Sequence, residues 1–298
     1  MNKELKSKIL KDLKQSGFPL QVETAAYLQG QGWKVDEDLL YVDEESDKER
    51  SVDIHALKVD YTYASKTPKR ITPGNENKLI AHLVIECKKS TKPWIFFDNG
   101  KVRWPIIPST ILTSKYDDFN NLMFEELETY GLKEHRYKNA KFHKSFYQAI
   151  FKGDEEGREN KMDDTKIRGG LYQATKASRY LKQRYGVGEY SFHLFHPVVV
   201  LEGELCSASV GKPLKTGGYS VKIKAADIIH VVFNRLVSVD PSEKAGFFEE
   251  EQVVDIVRAS AFRKYLRLVE KDNKALHGAW TKFHNSSRRV KPLIKVMK

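Results

Sequence analysis

The chain has 298 residues, 40% of them hydrophobic and 11% aromatic, enough to bury one large core or two modest ones. Its net charge of +11 favours polyanionic partners, nucleic acid before an anionic membrane surface. No run approaches the roughly 18 apolar residues of a membrane span, the N-terminal residues lack the apolar core of a signal peptide, and two cysteines, Cys87 and Cys206, are too few for a disulfide framework. Both lie in apolar, strand-like runs and read as buried thiols of a reducing, cytoplasmic compartment.

Residues 3–15 predict a basic amphipathic helix with Leu5, Ile9 and Leu13 on one stripe. Ser16-Gly17 breaks it, and Pro19 suits the first turn of a second helix. Val22, Ala25, Ala26 and Leu28 give that helix an apolar face, and Gly30 and Gly32 end it. Glu23 lies in its early turns, where the dipole favours a solvated acid. Trp33 to Val42 predicts a first strand. Asp43 to Arg50 predicts a charged, solvated turn. Arg50-Ser51-Val52-Asp53-Ile54-His55-Ala56 opens a second strand, and an aspartate inside a strand is unfavourable by propensity. A polar loop over 65–77 leads to a third strand, 78–88, ending in Leu83-Val84-Ile85-Glu86-Cys87-Lys88. The second and third strands therefore predict a hairpin with a long connection.

Residues 91–165 read as an insertion, with a helix predicted over 116–130. Lys133 to Lys152 carries six Lys/Arg against one Glu, interleaved with Tyr137, Phe142, Phe146, Tyr147 and Phe151. Two readings stand. The segment is a single-strand-binding surface, with charge for phosphates and rings for bases, contacting through Arg136, Lys138, Lys141 and Lys144. Alternatively it is an amphipathic helix with a basic outer face and an aromatic inner one. Ile167 to Tyr185 predicts a helix bearing Gln173 and Lys176. Strands are predicted at Phe192 to Cys206 and Ile223 to Phe233. His193 and His196 read as core or edge histidines, since zinc would need further ligands. Gly246 to Asp272 predicts a long helix and 274–284 another. The tail from Ser286 holds five Lys/Arg and no acid, with Arg288 and Arg289 as candidate phosphate contacts.

Glu86 and Lys88, two apart on a strand, share a face about 6.6 Å apart. If the Asp53 strand neighbours theirs, two carboxylates converge beside an amine. Carboxylates that close raise each other's pKa unless a cation sits between them, and oxygen ligation suits Mg²⁺ or Mn²⁺. Asp53 followed by Glu86-x-Lys88, in the settings Ser-Val-Asp-Ile-His-Ala and Val-Ile-Glu-Cys-Lys-Lys, resembles the PD-(D/E)XK nuclease superfamily.

That resemblance implies an α/β, restriction-endonuclease-like fold: a mixed central sheet flanked by helices. Residues 1–238 would form the nuclease-like domain, with its core at 16–90 and 166–238, and 239–298 a C-terminal helical extension with a basic tail. It implies a metal held by Asp53, Glu86 and the Cys87 main-chain carbonyl, with Glu23 as a further candidate ligand. Lys88 would handle the attacking water, with Gln173 and Lys176 as auxiliaries or as plain surface residues. DNA is the implied partner, with RNA open and a homodimer among the expectations. A divalent-metal-dependent deoxyribonuclease is the leading reading. The others are a catalytically silent nucleic-acid-binding protein of the same fold, and a basic α/β domain in which Glu86 and Lys88 form a surface ion pair worth about 0–1 kcal/mol.

Overall fold

Asn2 opens the first helix, α1 (Lys3–Gln15), by accepting the Glu4 amide at 3.0 Å on its side-chain oxygen, which satisfies an otherwise unpaired N–H. After Ser16 and Gly17, α2 (Phe18–Gly30) starts with Pro19 in its first turn, where a missing N–H does no harm. Gly32, at φ +78°, turns the chain into β1 (Lys34–Asp43). In this computed structural model the described residues are 2–43, 45–62, 77–98, 111–112, 140–148, 165–185, 191–213, 218–238 and 247–294. The remaining elements are β2 (Lys48–Thr62), β3 (Asn77–Lys89), β4 (Trp94–Asp98), β5 (Ile111–Leu112), β6 (Phe142–Gln148) and α3 (Thr165–Tyr185). They continue with β7 (Ser191–Glu202), β8 (Leu205–Pro213), β9 (Tyr219–Ala225), β10 (Ile228–Ser238), β11 (Phe247–Arg258) and α4 (Phe262–Ile294).

The strands form one mixed sheet in the order β1-β2-β3-β7-β11-β10-β6-β4-β8-β9, with β5 beside β7. β2 and β3 are antiparallel, as the sequence predicts, while β3–β7 and β7–β11 are parallel. Central parallel strands are buried on both faces and read as continuous apolar runs. On β7, Val198 and Val200 face α2 and α4 together with Leu28, Ile54, Ile85, Tyr265 and Leu266. Val199 and Leu201 face α3 with Ile167, Leu171, Trp94 and Phe96. Further along α3, Ala177 and Leu181 meet Tyr41, Val52, Val84 and Phe195. No helix among the described residues is long and apolar enough to cross a membrane.

Four expectations change. The long helix predicted from Gly246 is strand β11 as far as Arg258, and helix begins only at Phe262. Val253, Ile256 and Val257 suit either period, but β11 lies between β7 and β10, where an extended backbone pairs on both sides. The separate helix at 274–284 is a continuation of α4. The strand predicted at Ile223–Phe233 is two strands, β9 and β10, parted where the Ala226 amide donates to the Leu205 carbonyl at 2.8 Å. The helical reading of 133–152 fails at 142–148, which is strand β6 between β10 and β4. The 65–77 loop, apart from its last residue, and the 116–130 helix lie outside the described residues.

The C-terminal end of β3 is tied to β7 by the Ser90 amide, which donates to the Glu202 carbonyl at 3.0 Å. Gly203 follows in close contact: a Cβ there would stand 2.6 Å from the Ser90 main-chain oxygen. Backbone cannot move aside as a side chain can. Gly203→Ala is expected to lower stability by about 1–3 kcal/mol, read as a fall in the urea midpoint. An unchanged midpoint would refute the close approach.

Candidate functional site

The β2–β3 ladder runs from Thr62↔Asn77 to Ile54↔Ile85, and the next step brings Asp53 to Glu86. There the main-chain ladder gives way to a side chain, and the Cys87 amide donates to Asp53 Oδ2 at 2.6 Å. The N–H and C=O of one extended residue project the same way. The Cys87 carbonyl therefore leaves β3 on the Asp53 side, where the site a Cβ would take on Gly17 is 3.5 Å away.

The strands are distorted at this point. Residues an even number apart on a strand share a face. Yet Val35 packs with the α2–α4 layer, whereas Leu39 and Tyr41 pack with α3, and Ile54 and Val52 divide the same way. Both β1 and β2 thus change face at Asp38 and Asp53, a pair that the β1–β2 register skips. Asp38 has φ +50°, a left-handed conformation in which Asp is among the few tolerated side chains. Gln21 on α2 spans the break, its Nε2 donating to Asp38 Oδ1 and to the Asp53 carbonyl, each at 3.1 Å.

Lys88 reaches back along β3 so that its Nζ donates to Glu86 Oε1 at 2.5 Å and to Gln173 Oε1 on α3 at 3.0 Å. Its stem lies against Gly170, where a Cβ would be 3.4 Å from Lys88 Cγ. Glu86 is 2% exposed. Burial pushes its pKa up to about 7, against the pull of the Lys88 ammonium and with the Asp53 charge adding to the rise. Burial also raises Asp53, opposed by the Cys87 amide and Lys88 and reinforced by Asp38. Burial drives the Cys87 thiol well above its ordinary range, so it is no nucleophile at neutral pH.

The second Glu86 oxygen, Oε2, is buried with no hydrogen-bond partner. Such an atom costs about 1–3 kcal/mol and demands a reason. Asp53, Glu86 and the Cys87 carbonyl are hard oxygen donors of the kind Mg²⁺ and Mn²⁺ take, and a cation would satisfy Oε2. The set is lean, because no group of three or more His, Cys, Asp or Glu that could hold a metal occurs among the described residues. It fits an ion that keeps several waters, as Mg²⁺ does.

The other residues singled out in the sequence lie elsewhere or outside the described residues. Glu23 is exposed, and the buried face of α2 presents Gln21 and Thr24 instead. Lys176 does not join Lys88. It bonds both Asp43 oxygens at 2.8 Å and Glu45 at 2.8 Å. Asp43, expected in a solvated turn, is 2% exposed. Burial alone would raise it, but bonds from Lys176, Ser46 and the Glu45 amide hold its carboxyl below the usual range. Lys176→Ala should therefore lower stability by about 2 kcal/mol, by taking two charge-assisted bonds from a buried carboxylate that keeps Arg50 at 3.4 Å, Ser46 and the Glu45 amide. A stability loss no larger than that of a surface lysine would overturn this assignment. Lys141 is exposed immediately before β6 and pairs with Asp98. Arg136 and Lys138, and the side chains of Lys144, Arg288 and Arg289, lie outside the described residues.

Two residues at the site escaped the sequence reading, Gln21 and Asp38. Their signal was present: Gln21 is a polar residue at the spacing of the buried face of α2, and Asp38 interrupts the alternation of β1. Beside the site runs a buried imidazole chain. His55 Nε2 meets His82 Nδ1 at 3.0 Å, and His82 Nε2 meets His193 Nδ1 at 2.9 Å. Tyr185 packs over all three rings. Comparison with family models, curated proteins and solved structures gives no match for this chain.

Proposed function

We propose that the chain is a divalent-metal-dependent deoxyribonuclease with a restriction-endonuclease-like core. The observation that carries this reading is the buried, unpartnered Glu86 Oε2 beside Asp53, with Lys88 on the other Glu86 oxygen. Asp53, Glu86 and the Cys87 carbonyl would hold Mg²⁺ or Mn²⁺. Such an ion supplies an acidified water and a Lewis acid for the phosphoryl oxygen. The chain's own residues do the positioning. The Cys87 amide fixes the Asp53 carboxylate and leaves Oδ1 free of that bond. Gln173 and Glu86 hold the Lys88 amine in place, where it can orient a water and offset charge gathering on a phosphate. The net charge of +11 supports a polyanionic substrate.

Incubation with supercoiled, linear and single-stranded DNA, with and without Mn²⁺, tests the proposal. Metal-dependent cleavage is expected on at least one substrate, and the products report strand preference and polarity. Salt-sensitive DNA binding without cleavage in Mn²⁺ would favour the catalytically silent binding protein. Absence of both would leave a basic α/β domain.

A further inference from the structure

The break in β1 and β2 is bridged by one side chain. An unbroken antiparallel ladder would set Asp38 opposite Asp53 on one face, with Cβ atoms about 5 Å apart, and like charges placed so repel each other. Asp38 instead takes φ +50° and leaves the ladder, while Glu37 and Leu39 on either side stay paired with Ile54 and Val52. The amide of Gln21 fills the gap. Its Nε2 donates to Asp38 Oδ1 and to the Asp53 carbonyl, each at 3.1 Å.

Gln21 is placed to act as a brace. It is 5% exposed, and its neighbours Leu20, Ala25 and Leu28 pack α2 against Ile54 and Ile85. Burying an amide is costly unless it is hydrogen-bonded, and here the Nε2 group is committed to the two sides of the break. The effect falls on Asp53. Gln21 fixes its main-chain carbonyl, and the Cys87 amide fixes Oδ2 at 2.6 Å. The aspartate side chain is short. With its carbonyl and one carboxylate oxygen both held, the direction of Oδ1 is set as well.

We infer that Gln21 and Asp38 are positioning residues, which fix the Asp53 carboxylate on the Cys87 amide and leave Oδ1 to face a ligand. On the nuclease reading, on which this step rests, that ligand is the divalent cation. Neither residue touches the ion. Both act through Asp53, as the outer partners of metal ligands do. If Gln21 served only as a partner for a stranded carbonyl, its loss would lower stability and leave cation affinity alone.

The test reads the brace and the ion separately, on the full chain. In chelator, the Cys87 amide proton reports its bond to Asp53 by NMR, because a short bond to a carboxylate holds it downfield. Mn²⁺ affinity is then measured by electron paramagnetic resonance with no DNA present. Asp38 is exposed, so a substitution there leaves the core intact. Asp38→Gly accepts the left-handed backbone without a side-chain penalty and should unfold at no lower urea than wild type. It removes an acceptor from Gln21, so the Cys87 amide should move upfield and Mn²⁺ should bind about tenfold more weakly. Gln21→Ala should change both readouts in the same way, with a loss of stability. Asp38→Asn keeps an oxygen for Gln21 and tolerates the left-handed region, so it should recover both.

A Cys87 amide that stays in place in Asp38→Gly and Gln21→Ala overturns the inference, and so does wild-type Mn²⁺ affinity in those two variants. If wild type itself binds no Mn²⁺ while the amide still moves in the variants, the nuclease reading falls and the brace on Asp53 is supported.

Discussion

Glu86→Gln is expected to remove Mg²⁺-dependent cleavage, by at least about 100-fold, and at the same time to stabilise the metal-free protein above pH 7. The two effects share one cause. Glu86 is buried with one oxygen unpartnered, so its folded pKa of about 7 lies above its ordinary 4.5. Between those values the folded chain holds a proton that the unfolded chain has released. The associated stability is therefore fully present below pH 4.5 and is lost as pH rises through about 7. By pH 8 the ionised carboxylate costs about 3 kcal/mol. Glutamine carries no charge and keeps an oxygen for Lys88. In chelator at pH 8 the variant should unfold at higher urea than wild type. Mg²⁺ should raise the wild-type midpoint, through mass action, and leave the variant unmoved. A purely structural Glu86–Lys88 ion pair gives the opposite result: Glu86→Gln is then less stable at pH 8, and Mg²⁺ changes neither protein. Lys88→Ala should likewise lose cleavage, with DNA binding retained.

Acidification is expected to destabilise the protein by several kcal/mol between pH 7 and pH 5 through the imidazole chain. Burial lowers His55 to about 4 and His193 to about 4. Burial, with His55 and His193 as further positive neighbours when charged, lowers His82 to about 2. A histidine depressed in the folded state stays neutral there while the unfolded chain takes up a proton, so its stability contribution is lost as pH falls below the ordinary 6.5. Each contributes roughly 2 kcal/mol by pH 5. Glu86 works in the opposite direction over the same window and offsets about one histidine. The geometry explains why protons are refused: both nitrogens of His82 are already engaged, at 3.0 and 2.9 Å, by rings that would carry like charge. His82→Gln keeps a donor and an acceptor but cannot titrate. Its urea midpoint should fall less steeply between pH 7 and pH 5 than that of wild type. Equal slopes in the two proteins would show that the chain is not the source of acid lability.

Much of the N-terminal half was legible from residue order. The α1–α2 break at Ser16-Gly17, the Asp53 and Glu86 strands and their antiparallel pairing all follow from punctuation and alternation, which are local properties. Glu86 and Lys88 share a face because strand geometry requires it, and Asp53 stood out as a charge in an apolar strand. The misreadings fall where one pattern serves two structures. Phe247–Arg258 carries valines and isoleucine at spacings compatible with either helix or strand, and its place between β7 and β10 decides for strand. Asp43 looks like one acid among several in a turn, until α3 brings Lys176 across to bury it.

Residue order alone determined a basic chain with an aspartate strand, a Glu-x-Lys strand and a helix to cover them, because periodicity and charge are carried by neighbouring residues. Only the tertiary structure decided that β1 and β2 change face together at Asp38 and Asp53, that Gln21 rather than Glu23 turns toward the site, and that one oxygen of Glu86 is sealed away from water. Those facts depend on residues far apart in the chain meeting across a sheet, and no local pattern records which side chain the opposing layer leaves room for.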